Sequence, residues 1–228
     1  MTDDAAPVRF FAARSALLLG DRDAAPALLQ ALALPPGPYR IDSLRLLLKV
    51  ATTAQWQAVL KTLAQDPAQV RVLIQAVGVA GDPHYVPWLI KQMGELPLTR
   101  LAGESFSLIS GLDLAALDLE RKPPEDFEPG PNDDPNDTDV ALDEDDSLPW
   151  PDPGKIAAWW HANGARFEAG TRYFLGAPPT PESALAVLRS GGQRQRIAAA
   201  HYRCLLRPGT PLFGTAAPAW RQQRALAL

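Results

Sequence analysis

The stretch that decides the fold is DPAQVRVLIQAVGVAGDPHYVPWLIKQM, residues 66–93. Its apolar residues recur at the helical period, as Leu73 and Val77 do, and Asp66-Pro67 is a typical helix start. Gly81-Asp82-Pro83 then interrupts the pattern before a second apolar helical run follows. These residues therefore predict two helices joined by a short turn.

The same arrangement occurs twice earlier in the chain. The turns fall at Gly20-Asp21, Ala51-Thr52 and Gly81-Asp82, a spacing of about thirty residues, which is typical of helical repeats. A helix–turn–helix unit repeated at a fixed period predicts a HEAT/armadillo-like α-solenoid, because each pair must bury its apolar face against its neighbours. A generic helical bundle is the alternative, but it has no reason to repeat the turn. The predicted helices are 8–19, 24–34, 41–50, 53–63, 68–79, 84–93, 98–109, 155–162, 180–190, 193–206 and 218–226.

Composition supports an all-α, soluble chain. Of the 228 residues 46% are hydrophobic, and Ala and Leu dominate over β-branched and aromatic residues. The single cysteine, Cys204, excludes an intrachain disulfide framework. No apolar stretch approaches the roughly 18 residues of a membrane span, and the first residues do not resemble an export signal. We therefore expect a cytoplasmic protein without membrane contact.

An acidic, proline-rich tract interrupts the helices between residues 113 and 152. It holds fifteen Asp or Glu against two bases, Arg121 and Lys122, so its net charge is −13 and the rest of the chain is +9. Low hydropathy and many prolines oppose regular structure there. The sequence thus predicts helical hairpin repeats at 1–112, an acidic loop at 113–153, and a C-terminal helical cap at 154–228 packing on the same solenoid.

The end of the tract supplies the first candidate binding residues. Trp150 stands between two prolines that hold the chain extended, so it is predicted either to pack the loop onto the body or to act as a partner hot spot. Just before it lie four consecutive carboxylates, Asp143, Glu144, Asp145 and Asp146. We predict that these residues contact a partner.

The C-terminal region is rich in arginine, and Arg196, Arg203 and Arg207 lie near one another on a predicted helix. One hypothesis is that they pair with the acidic tract, which is tethered to the same chain at high effective concentration. The alternative is an external anion, including nucleic acid held in a basic groove. The acidic tract would repel phosphates, so the sequence favours the first hypothesis.

Candidate chemistry is sparse. His201 and Cys204 lie one helical turn apart, but a metal needs further ligands, and a half-buried histidine beside a structural cysteine is the preferred interpretation. The run from Asp133 to Asp139 suggests calcium, yet Pro135 and a missing glycine break the required loop pattern. We predict no catalytic residue, no metal ligand and no cofactor.

Several motifs resemble a known family. They are Gly111-Leu-Asp-Leu, the acidic stretch, Leu148-Pro-Trp-Pro-Asp-Pro, Trp159-Trp160 and Pro218-Ala-Trp-Arg-Gln-Gln-Arg, spread over residues 98–224. Together they resemble a family of uncharacterised proteobacterial HEAT-repeat-like proteins, often encoded near type VI secretion components. That resemblance implies a setting rather than a chemistry: an immunity protein, adaptor or chaperone that binds a secreted effector.

The predicted function is therefore non-catalytic protein binding, with an effector encoded nearby as the partner. A nucleic-acid-binding helical-repeat protein using the arginine-rich C-terminal helices is the alternative. A homodimer is a third hypothesis, in which Phe10, Phe11 and Leu17 of an uncapped first repeat are covered by a second copy.

Overall fold

The computed structural model describes residues 5–125, 127, 136, 138 and 143–226. Over these residues the regular structure is helical, and strand pairing is limited to two isolated antiparallel bridges, Glu120–Pro151 and Phe174–Ala177. The predicted all-α class is confirmed for this part of the chain. The α-helices are α1 (Ala6–Leu19), α2 (Ala24–Ala33), α3 (Arg40–Val50), α4 (Thr53–Leu63), α5 (Val70–Ala80), α6 (Val86–Gln92), α7 (Thr99–Ser110), α8 (Pro153–Asn163), α9 (Pro181–Ser190), α10 (Gln193–Leu206) and α11 (Ala219–Leu226).

Side-chain caps fix several helix starts. The Thr52 hydroxyl accepts the backbone N–H of Gln55, whose side-chain oxygen accepts the Thr52 N–H at 2.8 Å, so two otherwise unpaired donors at the start of α4 are satisfied. Asp66 accepts the N–H of Ala68 at 3.0 Å and begins a one-turn 3₁₀ helix, Pro67–Gln69, that leads into α5. The predicted helix start at Asp66-Pro67 is thus confirmed.

The described chain divides into two compact units. One consists of Met1–Ala80 with Pro178–Leu228, and the other of Gly81–Ala177. The division predicted from composition, at residues 112 and 153, rests on charge and proline content and stays a prediction.

In the unit formed by both chain ends, α1 packs on α2, α2 on α3, and α9 on α10, while α3 and α4 both pack on α5; α3 therefore packs more on α5 than on α4, its neighbour in sequence. In addition, α10 packs against α1 and α3, so the C-terminal hairpin lies on the first helices of the chain. Leucines fill the core, and Leu17, Leu29, Leu48 and Leu188 are fully buried. Their burial from water is the main stabilising contribution to this unit.

In the unit Gly81–Ala177, α6 packs against α7 and α8. Its core contains Phe106, Ile109 and Ile156, each inaccessible to solvent. Gly111 ends α7 in a left-handed conformation with φ 76°. A Cβ atom there would lie 2.5 Å from the Leu175 carbonyl. Glycine is therefore required both by the left-handed turn and by the close approach of the Leu175 backbone.

Over the described residues no helix has the length and apolar character needed to cross a bilayer.

Candidate functional site

A buried arginine holds the end of the acidic tract. Arg100, on α7, is 7% exposed. Its guanidinium lies 5.0 Å from the ring centre of Phe127 and 4.9 Å from that of Trp150, and it forms an ion pair with Asp143. We name Arg100, Phe127, Asp143 and Trp150 the loop anchor. Stacking on two aromatic rings and pairing with one carboxylate compensate the guanidinium for the water it loses.

Trp150 is 9% exposed and meets Phe127 edge-on, with ring centres 4.8 Å apart. Its carbonyl accepts the Arg121 N–H at 2.8 Å, which fastens the two ends of the tract to each other. The next residue, Pro151, lies so close to α7 that a Cβ added at Gly103 would be 3.0 Å from its ring. Trp150 therefore packs the loop against α7, the first of its two predicted roles; contact with a partner stays a prediction.

The four consecutive carboxylates of residues 143–146 form a tight turn. Asp143 Oδ1 accepts the Asp145 N–H at 2.9 Å, and the Asp143 carbonyl accepts the Asp146 N–H at 3.1 Å. Asp145 is 5% exposed, whereas Glu144 and Asp146 are exposed to solvent. The turn thus presents two of its four carboxylates on a backbone that the loop anchor holds in place.

Other carboxylates of the tract also have partners nearby. Asp118 pairs with Lys155 of α8 at 2.9 Å. Because both side chains are largely exposed, this pair contributes little to stability. The predicted pairing of the tract with the C-terminal arginines remains a prediction.

The three predicted arginines lie on or just after α10. Arg196 donates to the Leu188 carbonyl at 2.9 Å and to the Gln222 side chain, and its guanidinium lies 5.8 Å from the Phe213 ring centre. Arg203 is half-buried, and Arg207 is exposed at the end of the helix. Arg196 therefore holds α9, α10 and α11 together, while Arg207 is the most accessible of the three.

A second basic group lies where α1, α3 and α10 pack together. Lys49 of α3 is 6% exposed, and its ammonium donates to the Arg45 carbonyl at 2.7 Å and lies 5.5 Å from the Tyr202 ring centre. Burial, followed by the charges of Lys49, Arg14 and Arg45, lowers the pKa of half-buried His201 from 6.5 to about 3. We name Arg14, Arg45, Lys49 and His201 the basic cluster. The imidazole of His201 is neutral near pH 7.

Cys204 is 1% exposed, and its thiol donates to the Thr210 carbonyl at 3.4 Å. Burial raises the pKa of this thiol, although the charges of Arg203 and Arg14 oppose the shift. The thiol is therefore a protonated packing group. Among the described residues no three His, Cys, Asp or Glu side chains gather as a metal site would require. Most of the Asp133–Asp139 run lies outside the described residues.

Sequence reasoning missed Arg100 and Lys49. Each has apolar neighbours in the sequence: Lys49 follows three leucines, and Arg100 stands just before Leu101 and Ala102. A basic residue with such neighbours is predicted to be buried and to need a partner. That pattern could have identified both residues, but not Tyr202, Asp143 and Trp150, the partners that lie far away in the sequence.

No family model, curated protein or solved structure matches this chain. The resemblance to HEAT-repeat-like proteins near type VI secretion genes therefore stays a prediction.

Proposed function

We propose that this protein is a non-catalytic, protein-binding scaffold of HEAT/armadillo-like construction that works in the cytoplasm. The observation that carries the proposal is the loop anchor. A guanidinium, two aromatic rings and a carboxylate hold a short acidic turn against α7, and Glu144 and Asp146 of that turn are exposed to solvent. Carboxylates held on a fixed backbone lose little conformational freedom when they bind, which favours recognition of a basic surface.

Packing of sequence neighbours supports the solenoid part of the proposal. Within the unit formed by both chain ends, α1 packs on α2, α2 on α3 and α4 on α5, and α3 also packs on α5. Hairpin repeats expose broad surfaces and bind proteins through them. The C-terminal arginines, above all exposed Arg207, supply a second charged surface of opposite sign.

The proposed partner is a type VI secretion effector or component, with this protein as its immunity protein, adaptor or chaperone. This setting rests on the motifs at 111–114, 148–153, 159–160 and 218–224. In this setting the gene for the partner lies beside the gene for this protein.

The test is a pull-down with the product of the adjacent gene, followed by calorimetric titration of the purified pair. Glu144→Lys with Asp146→Lys should weaken binding by about tenfold or more, because reversing two charges at a complementary interface replaces attraction with repulsion. Glu95→Lys with Glu168→Lys is the matched control, since both are exposed carboxylates of the same unit and the net charge changes by the same amount.

The control variant should bind as the wild type does. Equal loss of binding in the control variant and in the turn variant would show that the acidic turn does not contact the partner. Failure of the adjacent gene product to bind at all would overturn the proposed setting.

A further inference from the structure

The helix α1 carries an apolar stripe that faces solvent. Val8 is 49%, Phe11 53% and Leu19 76% exposed. Along α1, Val8 is followed by Phe11 after three residues, by exposed Ser15 after four more and by Leu19 after another four. At these spacings the side chains share one face of the helix. We name Val8, Phe11 and Leu19 the α1 stripe. Large apolar side chains grouped on one face mark an interaction surface more often than isolated exposed ones do.

The stripe contains one pre-positioned ring. Phe11 packs edge-on against Phe10, with ring centres 5.2 Å apart, and against Tyr39, at 5.9 Å. Phe10 is itself buried and stacked on Tyr39 at 4.7 Å. Phe11 therefore stands on a rigid aromatic base while half of it remains exposed, as an interface anchor does.

The borders of the stripe are basic. At the helical period Arg9 and Arg14 fall on opposite sides of it, and α1 contains no acidic residue. Arg45 of α3 is paired with Asp42 at 3.3 Å and Lys49 is buried, so the positive charge beside the stripe comes from Arg9 and Arg14. An apolar strip between two positively charged borders is the complement of an amphipathic helix whose apolar face is bordered by Asp and Glu.

Charge also decides against a second copy of the chain. Two α1 helices packed antiparallel through their stripes would bring their Arg14 borders face to face, and like charges so placed oppose association. The dimer predicted from Phe10, Phe11 and Leu17 also needs correction. Phe10 is 4% and Leu17 0% exposed, because both are packed inside their own unit.

We propose that the α1 stripe, with Arg9 on one side and Arg14 on the other, is the docking site for an acidic amphipathic helix of the partner protein. This inference rests on the proposed protein-binding role and specifies the chemistry of the partner. The occupant presents a face of leucine-like residues to Phe11 and Leu19. Its carboxylates border that face and lie against Arg9 and Arg14.

The experiment uses two fluorescein-labelled 18-residue synthetic peptides with the same leucine stripe. One carries Glu at the positions that border the stripe, and the other carries Lys there. Fluorescence anisotropy against the full chain should show saturable binding of the Glu peptide, weakening with added salt, and at least tenfold weaker binding of the Lys peptide.

Phe11→Ser and Leu19→Ser are the test variants, and each should weaken binding of the Glu peptide by about tenfold, as loss of an interface anchor does. Leu117→Ser is the matched control, because Leu117 is also an exposed leucine, at 50%, but belongs to the other unit. It should bind as the wild type does. Circular dichroism confirms that the helices are retained, and Leu19, being the more exposed, is the safer of the two positions.

Equal binding of the two peptides, or binding unaffected by both serine variants, would overturn the inference. Sedimentation showing a wild-type dimer that Leu19→Ser dissociates would overturn it in favour of a second copy. Neither result depends on the adjacent gene product, so this inference and the proposed type VI partner can fail separately.

Discussion

At the scale of single residues, His201 shows how surroundings decide a protonation state. Burial and the neighbouring charges of Lys49, Arg14 and Arg45 lower its folded pKa from 6.5 to about 3. Between those values the unfolded chain binds a proton at this site that the folded chain does not. Protonation therefore favours unfolding, and stability is lost as the pH falls below about 6.5.

We predict that His201→Gln makes stability less sensitive to acid. At pH 5 the wild type should have lost about 2 kcal/mol from this site relative to pH 7.5, because the pKa difference acts over about 1.5 pH units below 6.5. Urea unfolding at both pH values measures the loss, and the variant should lack this part of it. His161→Gln, an exposed histidine of α8, is the control and should keep the wild-type pH dependence. An identical acid loss in wild type and His201→Gln would contradict the assignment.

Residue roles were only partly predictable from the sequence. The interpretation of His201 and Cys204 as half-buried and structural fits their environment, since helical spacing alone places both on one face of α10. The burial of Phe10 and Leu17 was not foreseen. It depends on which face of α1 its neighbours cover, and the apolar pattern of α1 runs around most of the helix.

At the scale of elements, the loop anchor joins residues far apart in the chain. Arg100 and Asp143 are 43 positions apart, and the side chains are 8% and 19% exposed. Removing one member of a buried ion pair leaves the other charge without compensation, which costs more than removing both. The contribution of Asp143 can therefore be isolated.

We predict that Asp143→Asn lowers the free energy of unfolding by about 2–3 kcal/mol, because Arg100 remains buried with its charge. Arg100→Met combined with Asp143→Asn should restore part of that loss. The control is Asp146→Asn, an exposed carboxylate of the same turn, which should change stability by no more than about 0.5 kcal/mol. Urea unfolding of the wild type, Asp143→Asn, Arg100→Met and the double variant completes the cycle, and the control is measured beside them. A double variant that loses the sum of the two single effects would mean that the ion pair contributes nothing of its own.

The existence of the helices was predictable, whereas their partners were not. Periodicity and turn residues located each α-helix of the described residues to within a few positions, since these are local properties of the chain. The predicted helix 68–79 in fact begins with a 3₁₀ turn at Pro67–Gln69, which an apolar pattern does not distinguish from α-helix. Packing of α10 on α1 and α3 is a long-range property that no local pattern contains.

At the scale of the whole molecule, the opposed charges are the feature that the sequence revealed most directly. A tract of net charge −13 is tethered to a remainder of +9. Such a tract reduces the attraction of basic residues for external polyanions, whether it contacts them or only lowers the local potential. This effect separates the protein-binding proposal from the nucleic-acid alternative.

We predict that neutralising part of the tract increases retention on heparin. The variant replaces five carboxylates by their amides, at Glu128, Asp133, Asp134, Asp137 and Asp139, and changes the formal net charge from −4 to +1. A control variant neutralises five carboxylates outside the tract, at Asp3, Asp4, Glu95, Glu168 and Glu182, and so has the same net charge. The tract variant should elute at higher salt than the control variant. Its five negative charges are removed from one dense segment, whereas those of the control are removed from dispersed sites.

Binding to a 20-base-pair DNA duplex then decides between the two functions. For a protein-binding scaffold the tract variant should bind DNA weakly, with a shallow dependence on salt, since few arginines meet phosphates at once. A logarithmic salt slope of about −5 or steeper would mean that roughly six phosphates are neutralised together. That slope would require a continuous basic groove and would make nucleic acid, rather than protein, the ligand of the C-terminal arginines.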